Sequence, residues 1–151
     1  MRLDISIYDK NDRLTVIGEV KRRSGLPVSW ASRLRYNLLS ENDVAKTDYF
    51  LIALLDHFYL WKGIDSPLKL RPPDFVGDTM PILDSYLQRT HLNYLTIAGE
   101  VYEEVVLWWL DDLISGVWSA YPNDIRVSWI FDSGLFDAIR NGHMEKNLMF
   151  A

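Results

Sequence analysis

The sequence predicts an α/β fold in which a small mixed sheet is flanked by helices and extended by a helical C-terminal part. Three observations carry this prediction. Apolar and polar residues alternate in 3–21, as in a half-buried β-hairpin. A continuous apolar run within 48–61 indicates strands buried on both faces. Beyond residue 82, apolar residues recur at helical spacing.

The predicted hairpin has strands at 3–9 and 14–21, joined by the polar turn 10–13. If the turn is centred between Asn11 and Asp12, paired residues have numbers that sum to 23. This register places the apolar side chains of both strands on one face, which can pack against helices. The hairpin therefore has one core face and one face that carries polar groups.

A helix and a second hairpin follow. Pro27 marks a helix entry, and apolar residues spaced four apart predict a helix over 29–39. Residues 49–55 and 58–61 form the predicted second pair of strands. The predicted sheet is thus built from the 3–21 hairpin and the 48–61 strands.

The second half of the chain is predicted to be helical. Glycine and proline are frequent in 62–81, which predicts a long loop. Helices are expected over 82–92 and 98–114, and a last one runs from Ser133 to Asn141-Gly142. We expect a single domain over 1–151, with a core at 2–61, the loop, and a helical extension at 82–151.

Composition excludes several classes of function. The chain has no cysteine, so disulfides, thiolate metal sites and cysteine nucleophiles are unavailable. Its apolar runs are far shorter than the roughly 20 residues that span a membrane, and no signal peptide is evident. We expect a soluble, cytoplasmic protein. The net charge of −5 disfavours whole-surface nucleic-acid binding, although a local basic strip occurs in 20–40.

Two carboxylates are predicted to meet at the end of the hairpin. In the register above, Asp4 lies directly opposite Glu19, and two like charges at that distance repel each other unless a cation lies between them. Lys21 lies two residues beyond Glu19 and shares its face. Such a pair suits Mg²⁺, or Mn²⁺, which would make Asp4 and Glu19 metal ligands. The alternative is a solvated strand end with ordinary surface charges.

The motif residues resemble a known superfamily. Arg2-Leu3-Asp4, a turn, Val16-Ile17-Gly18-Glu19-Val20-Lys21, a helix with Leu34-Arg35-Tyr36 and a hydrophobic strand resemble the PD-(D/E)xK nucleases, over roughly residues 2–61. The resemblance implies a restriction-endonuclease-like fold. It also implies catalytic roles for Asp4, Glu19 and Lys21. The usual helix and strand before the motif aspartate are missing, which describes an N-terminally shortened member or one in which another subunit or a later helix replaces them.

The expected function is therefore metal-dependent hydrolysis of phosphodiester bonds in DNA. The candidates for contacts with the nucleic-acid backbone are Arg22, Arg23, Arg33 and Arg35. The alternative is a catalytically inactive nuclease-like protein that acts as an interaction or regulatory subunit. A homodimer or a partner subunit is compatible with both hypotheses.

Overall fold

A computed structural model describes residues 3–41, 47–120 and 124–145. The described residues form a mixed six-stranded sheet flanked by helices, with strand order β5-β4-β3-β2-β1-β6. The strands are β1 (Ile5–Tyr8), β2 (Leu14–Val20), β3 (Tyr49–Ala53), β4 (His57–Lys62), β5 (Phe75–Asp78) and β6 (His143–Met144). The helices are α1 (Val28–Glu41), α2 (Met80–Arg89), α3 (Gly99–Ser115), α4 (Ser128–Asp132) and α5 (Leu135–Ile139), with a 3₁₀ helix at Val117–Ala120.

The N-terminal hairpin has the predicted register. Ile5 pairs with Gly18 and Ile7 with Val16, so the paired residue numbers sum to 23. A bulge follows Ile7 and shifts Tyr8 to Leu14. The turn is therefore not symmetric, contrary to the assumption of the sequence analysis. The bulge confines this shift to the turn end of the hairpin, and the register next to Asp4 is the predicted one.

Helix α1 connects β2 to β3, which lie side by side and parallel. A parallel pair needs such a crossover, because a short turn cannot return the chain to the same end of the sheet. The other pairings described, including β3 with β4, are antiparallel. The predicted helix and second hairpin are thus confirmed, and β3 is buried along its whole length, as its apolar composition requires.

The second half contributes strands that the sequence analysis missed. The loop expected at 62–81 contains β5, which pairs with β4. A Cβ at Gly77 would lie 2.0 Å from Trp129 Nε1, so glycine is what allows α4 to pack on this strand. Strand β6 pairs with β1 at the opposite edge. The C-terminal part is therefore not purely helical, because its last described strand completes the sheet.

Two apolar cores lie on opposite faces of the sheet. One contains Ile5, Ile7, Val16 and residues of α2, α3, α4 and α5. The smaller one contains Ile17, Phe50, Ile52, Trp61 and residues of α1. No helix in the described ranges is long and apolar enough to cross a membrane. Because helices cover both faces of the sheet, polar side chains can gather at the ends of the strands.

Candidate active site

Asp4 and Glu19 meet where β1 begins and β2 ends. The pairing ends at Ile5 and Gly18, and Asp4 and Glu19 are the next residues beyond that pair. The Asp4 Oδ2 accepts a hydrogen bond of 2.9 Å from the Val20 N–H. Glu19 is only 6% exposed. The hairpin register therefore holds two carboxyl groups together, one of them buried.

The backbone beside Glu19 is tightly packed. In the parallel pair of β2 and β3, Gly18 lies beside Leu51 and Glu19 beside Ile52. A Cβ on Gly18 would lie 2.1 Å from the Leu51 carbonyl oxygen, so any side chain there would push the two strands apart. Glycine at this position is what lets β2 carry Glu19 into the interior of the sheet.

The two carboxyl groups have opposite pKa shifts. Burial, the hydrogen bond to Asp4 and the repulsion by its charge raise the pKa of Glu19 to about 8, against the attraction of Lys21. Burial also acts to raise the pKa of Asp4, but hydrogen bonds from Glu19 and Val20 outweigh it and lower that pKa. Near neutral pH the pair therefore carries one shared proton and one negative charge.

Lys21 lies at the open side of the pair. Its Nζ is 3.7 Å from Glu19 Oε2, and its side chain is 45% exposed. Its backbone N–H donates to the Ala53 carbonyl at 2.9 Å, which fixes the chain beyond the end of β2. The ammonium group can thus reach solvent while it stays beside the carboxylates.

A third carboxyl group, from Glu103 on α3, joins the pair. Its side chain acts to lower the pKa of Asp4, which places it beside that carboxyl group. Sequence analysis missed Glu103, because α3 carries several carboxylates off its apolar stripe and none is distinguished by spacing. We call Asp4, Glu19, Lys21 and Glu103 the acid cluster.

The Asp4–Glu19 pair fits a hard divalent cation. Mg²⁺ binds oxygen ligands and usually takes only one or two protein carboxylates, with water filling its other positions. Within the described ranges, no group of three or more His, Cys, Asp or Glu side chains is spaced to hold a metal ion. The site is therefore one of two carboxylates, with Glu103 beside it.

The four predicted nucleic-acid contacts fall into two groups. Arg23 and Arg33 are exposed, and the Arg23 guanidinium lies 5.4 Å from the centre of the Trp30 ring. Arg22 is exposed too, but its guanidinium donates to the carbonyl oxygens of Leu95 and Ile97. Of the four, Arg23 and Arg33 therefore have exposed guanidinium groups that donate to no backbone carbonyl of the described residues.

Arg35 is a correction to the prediction. It is 0% exposed, so its guanidinium is not available to a phosphate group. It donates to the Lys69 carbonyl at 3.2 Å, lies 3.6 Å from Asp65 and covers the Trp61 ring. A basic residue on an amphipathic helix is expected on its exposed face, but Arg35 lies on the buried one.

Comparison with models of known protein families, with curated proteins and with solved structures found no match for this chain.

Proposed function

We propose that this protein is a metal-dependent endonuclease that hydrolyses phosphodiester bonds in DNA, of the PD-(D/E)xK type. The observation that carries the proposal is the juxtaposition of Asp4 and Glu19 in one register, with the Lys21 ammonium 3.7 Å from Glu19. Two carboxylates that served only as surface charges would lie in solvent. Here the pair is partly withdrawn from water and keeps a lysine at its open side.

Asp4 and Glu19 are the residues that would hold Mg²⁺ or Mn²⁺. The bound cation would supply Lewis-acid stabilisation to the charge on a phosphoryl oxygen. Binding it requires the loss of the shared proton, so the pair changes from one negative charge to two. The carboxylates thereby provide the charge that the cation needs without further protein ligands.

Lys21 would place a positive charge where negative charge develops on the phosphoryl oxygens, and it would orient the attacking water. Such preorganised donors are worth most where water is partly excluded. The backbone hydrogen bond from Lys21 to Ala53 and the burial of Glu19 both restrict where the ammonium can lie. Arg23 and Arg33 would contact the backbone phosphates, which position DNA without reading its sequence.

Helix α3 supports the assignment of a restriction-endonuclease-like core. The resemblance implies a helix, often with a further acidic residue, before the motif aspartate. Glu103 brings an acidic side chain to Asp4 from a later helix. A later helix can therefore take over the packing that the resemblance assigns to an earlier one.

A second candidate function is that of a catalytically inactive nuclease-like subunit. The observation in its favour is that two of the four predicted DNA-binding arginines, Arg22 and Arg35, are engaged within the protein. Together with the net charge of −5, this leaves a small basic surface. Such a protein would use its acidic or apolar surface for a partner.

The deciding experiment is cleavage of plasmid and linear DNA with Mg²⁺ or Mn²⁺. We expect Lys21→Ala to lower kcat by about 10²- to 10³-fold, the usual effect of removing one preorganised charge-stabilising group. Lys10→Ala, at the exposed turn of the same hairpin, is the matched control and should cleave like the wild type. Thermal stabilisation by Mg²⁺ alone is measured in parallel. A folded wild type that neither cleaves nor gains stability with Mg²⁺ supports the inactive subunit instead.

A further inference from the structure

The side chain of Arg22 links the end of β2 to the loop that leads into α3. Its Nε donates to the Ile97 carbonyl, and its Nη2 donates to the Leu95 carbonyl at 3.2 Å. Two of its three guanidinium nitrogens are therefore hydrogen-bonded within the protein. A residue that served only to contact DNA phosphates would present these donors to solvent. The hydrogen bonds of Arg22 indicate a role inside the molecule.

The backbone on both sides of Arg22 is held at the end of β3. The Lys21 N–H donates to the Ala53 carbonyl, and the Arg23 carbonyl accepts from the Leu55 N–H, each at 2.9 Å. Arg22 therefore extends from a segment whose position is fixed by the sheet. The loop carbonyls that it binds are in turn held in a defined place relative to Lys21.

The loop residue that Arg22 binds stands directly before α3. Ile97 is only 3% exposed and lies two residues before Gly99, where the helix begins. The first turn is regular, because the Tyr102 N–H donates to the Ala98 carbonyl at 2.9 Å. A helix rises about 1.5 Å per residue, so Glu103 lies only about 6 Å along the axis from Gly99. A shift of the loop at Ile97 would therefore move Glu103 with it.

Glu103 lies beside Asp4, whose pKa it acts to lower. The helix that carries it packs against β2. On the sheet side, the Tyr102 hydroxyl donates to the Leu54 carbonyl. On the loop side, Arg22 supplies the hydrogen bonds described above. The start of α3 is thus attached to the end of the sheet from two directions, and both attachments lie next to the residue that reaches the acid cluster.

We propose that Arg22 is a positioning residue, which holds Glu103 beside Asp4 by fixing the start of α3 to the end of β2. The inference rests on the proposed nuclease function and deepens it, because it moves Arg22 from the candidate phosphate contacts to the support of the metal site. Groups that orient metal ligands commonly contribute about 10- to 100-fold to metal affinity or activity. Arg22 acts through α3 and not on the substrate.

The test measures kcat, the KM for DNA and, by calorimetry without DNA, the affinity for Mg²⁺. We expect Arg22→Ala to lower kcat and the Mg²⁺ affinity about 10- to 100-fold per folded molecule, with little change in KM. Loss of a phosphate contact would instead raise KM and reduce the salt slope of binding by about one, as we expect for Arg23→Ala. Arg89→Ala is the matched control: Arg89 is exposed, donates to the Ser85 carbonyl at 3.4 Å, and should behave like the wild type when replaced.

A double-mutant cycle tests whether the effect passes through Glu103. If Arg22 acts by placing this side chain, the double variant Arg22→Ala/Glu103→Gln should lose no more kcat and Mg²⁺ affinity than Glu103→Gln alone. Arg22→Lys retains a donor group for the loop carbonyls and should recover part of the loss. If Arg22→Ala does not fold, the same cycle is run with Arg22→Lys.

The outcomes separate this inference from the proposed function. If the wild type cleaves DNA and Arg22→Ala keeps its kcat and Mg²⁺ affinity, the positioning role is overturned and the nuclease stands. A change in KM alone would have the same meaning, since Arg22 would then contact DNA. Losses that multiply in the double variant would show that Arg22 does not act through Glu103, and would overturn the inference too. A folded wild type that neither binds Mg²⁺ nor cleaves DNA overturns both.

Discussion

Two clusters of charged side chains lie beside the sheet and differ in their balance of positive and negative charge. The acid cluster brings together three carboxyl groups and one lysine. The arginine cluster, formed by Arg35, Arg71, Asp65 and Asp74, alternates two cations with two anions. Arg71 lies 3.0 Å from Asp65 and 2.9 Å from Asp74, while Arg35 lies 3.6 Å from Asp65.

The pKa values of the two clusters reflect this difference. Burial acts to raise the pKa values of Asp65 and Asp74, but hydrogen bonds outweigh it and lower them, chiefly those from Arg71 to Asp65 and from the Lys62 N–H to Asp74. In the acid cluster the pKa of Glu19 is raised, since its nearest neighbour is another carboxyl group. The arginine cluster balances its charges within the protein, although Arg35 Nε and Nη2 have no hydrogen-bond partner among the described residues. The unbalanced acid cluster keeps a carboxyl group protonated near neutral pH, beside the Lys21 ammonium.

Removing Arg35 should have the largest effect on stability. Arg35→Ala leaves Asp65 without its buried partner and opens space beside Trp61. Asp65 keeps its hydrogen bonds with Arg71, so the main loss is the packing of a fully buried side chain, which typically lowers the free energy of unfolding by about 2–5 kcal/mol. Urea unfolding measures this loss, with Arg33→Ala, an exposed arginine of the same helix, as the control. Cleavage per folded molecule should be unchanged. A loss no greater than that of Arg33→Ala would mean that the arginine cluster does not hold the 63–74 segment.

The fold was largely predictable where local pattern decides it. The alternation of residues 3–9 and 14–21, together with the turn between them, was sufficient for the hairpin register, and this register alone brings Asp4 opposite Glu19. Strand β5 was not predictable, because its proline-rich surroundings suggest a loop. Its pairing depends on β4 and on Trp129 packing against Gly77. Both contacts are long-range.

The site was predictable only in part for the same reason. Asp4, Glu19 and Lys21 lie on one hairpin, so their juxtaposition follows from a period of two. Glu103 comes from a helix far along the chain, and only the packing of α3 on the sheet brings it to Asp4. The positive charge of Arg35 was visible in the sequence, but whether it faces solvent was not. The catalytic roles themselves remain predictions.

Glu19→Gln should affect activity strongly and lower stability very little, the reverse of Arg35→Ala. The amide keeps the shape of the protonated acid and can donate to Asp4 in its place. We expect cleavage to fall by at least about a hundredfold, since even groups that only support metal ligands are worth 10- to 100-fold. Glu104→Gln, an exposed glutamate on α3, should cleave like the wild type.

The same variant gives the pH test of the acid cluster. With its pKa raised from 4.5 to about 8, Glu19 binds its proton more tightly in the folded state than in the unfolded chain. Its contribution to stability is therefore full below pH 4.5 and is lost as the pH rises to about 8. The slope is at most about 1.4 kcal/mol per pH unit. Urea unfolding in EDTA should show this decline for the wild type and a flatter profile for Glu19→Gln. Stability profiles with the same slope for the wild type and Glu19→Gln would contradict the raised pKa of Glu19.

The smallest effect is expected from the ion pair with the shorter distance. Arg13 lies 2.5 Å from Asp48, whereas Arg35 lies 3.6 Å from Asp65, so distance alone ranks the two pairs in the wrong order. The side chain of Arg13 is 62% exposed and that of Arg35 is fully buried. Water and salt screen the first pair, and its side chains lose conformational freedom when they meet.

We therefore expect Arg13→Ala to leave the urea midpoint unchanged within error at about 0.15 M salt, because the pair is exposed to water and ordering its two long side chains offsets most of their attraction. Unfolding curves at low and high salt separate the two cases: any effect of Arg13→Ala should disappear at high salt, whereas that of Arg35→Ala should persist. If Arg13→Ala destabilised the protein as much as Arg35→Ala, burial would not be what distinguishes the charges of this molecule. The contrast between a balanced buried cluster and an unbalanced one would then lose its basis.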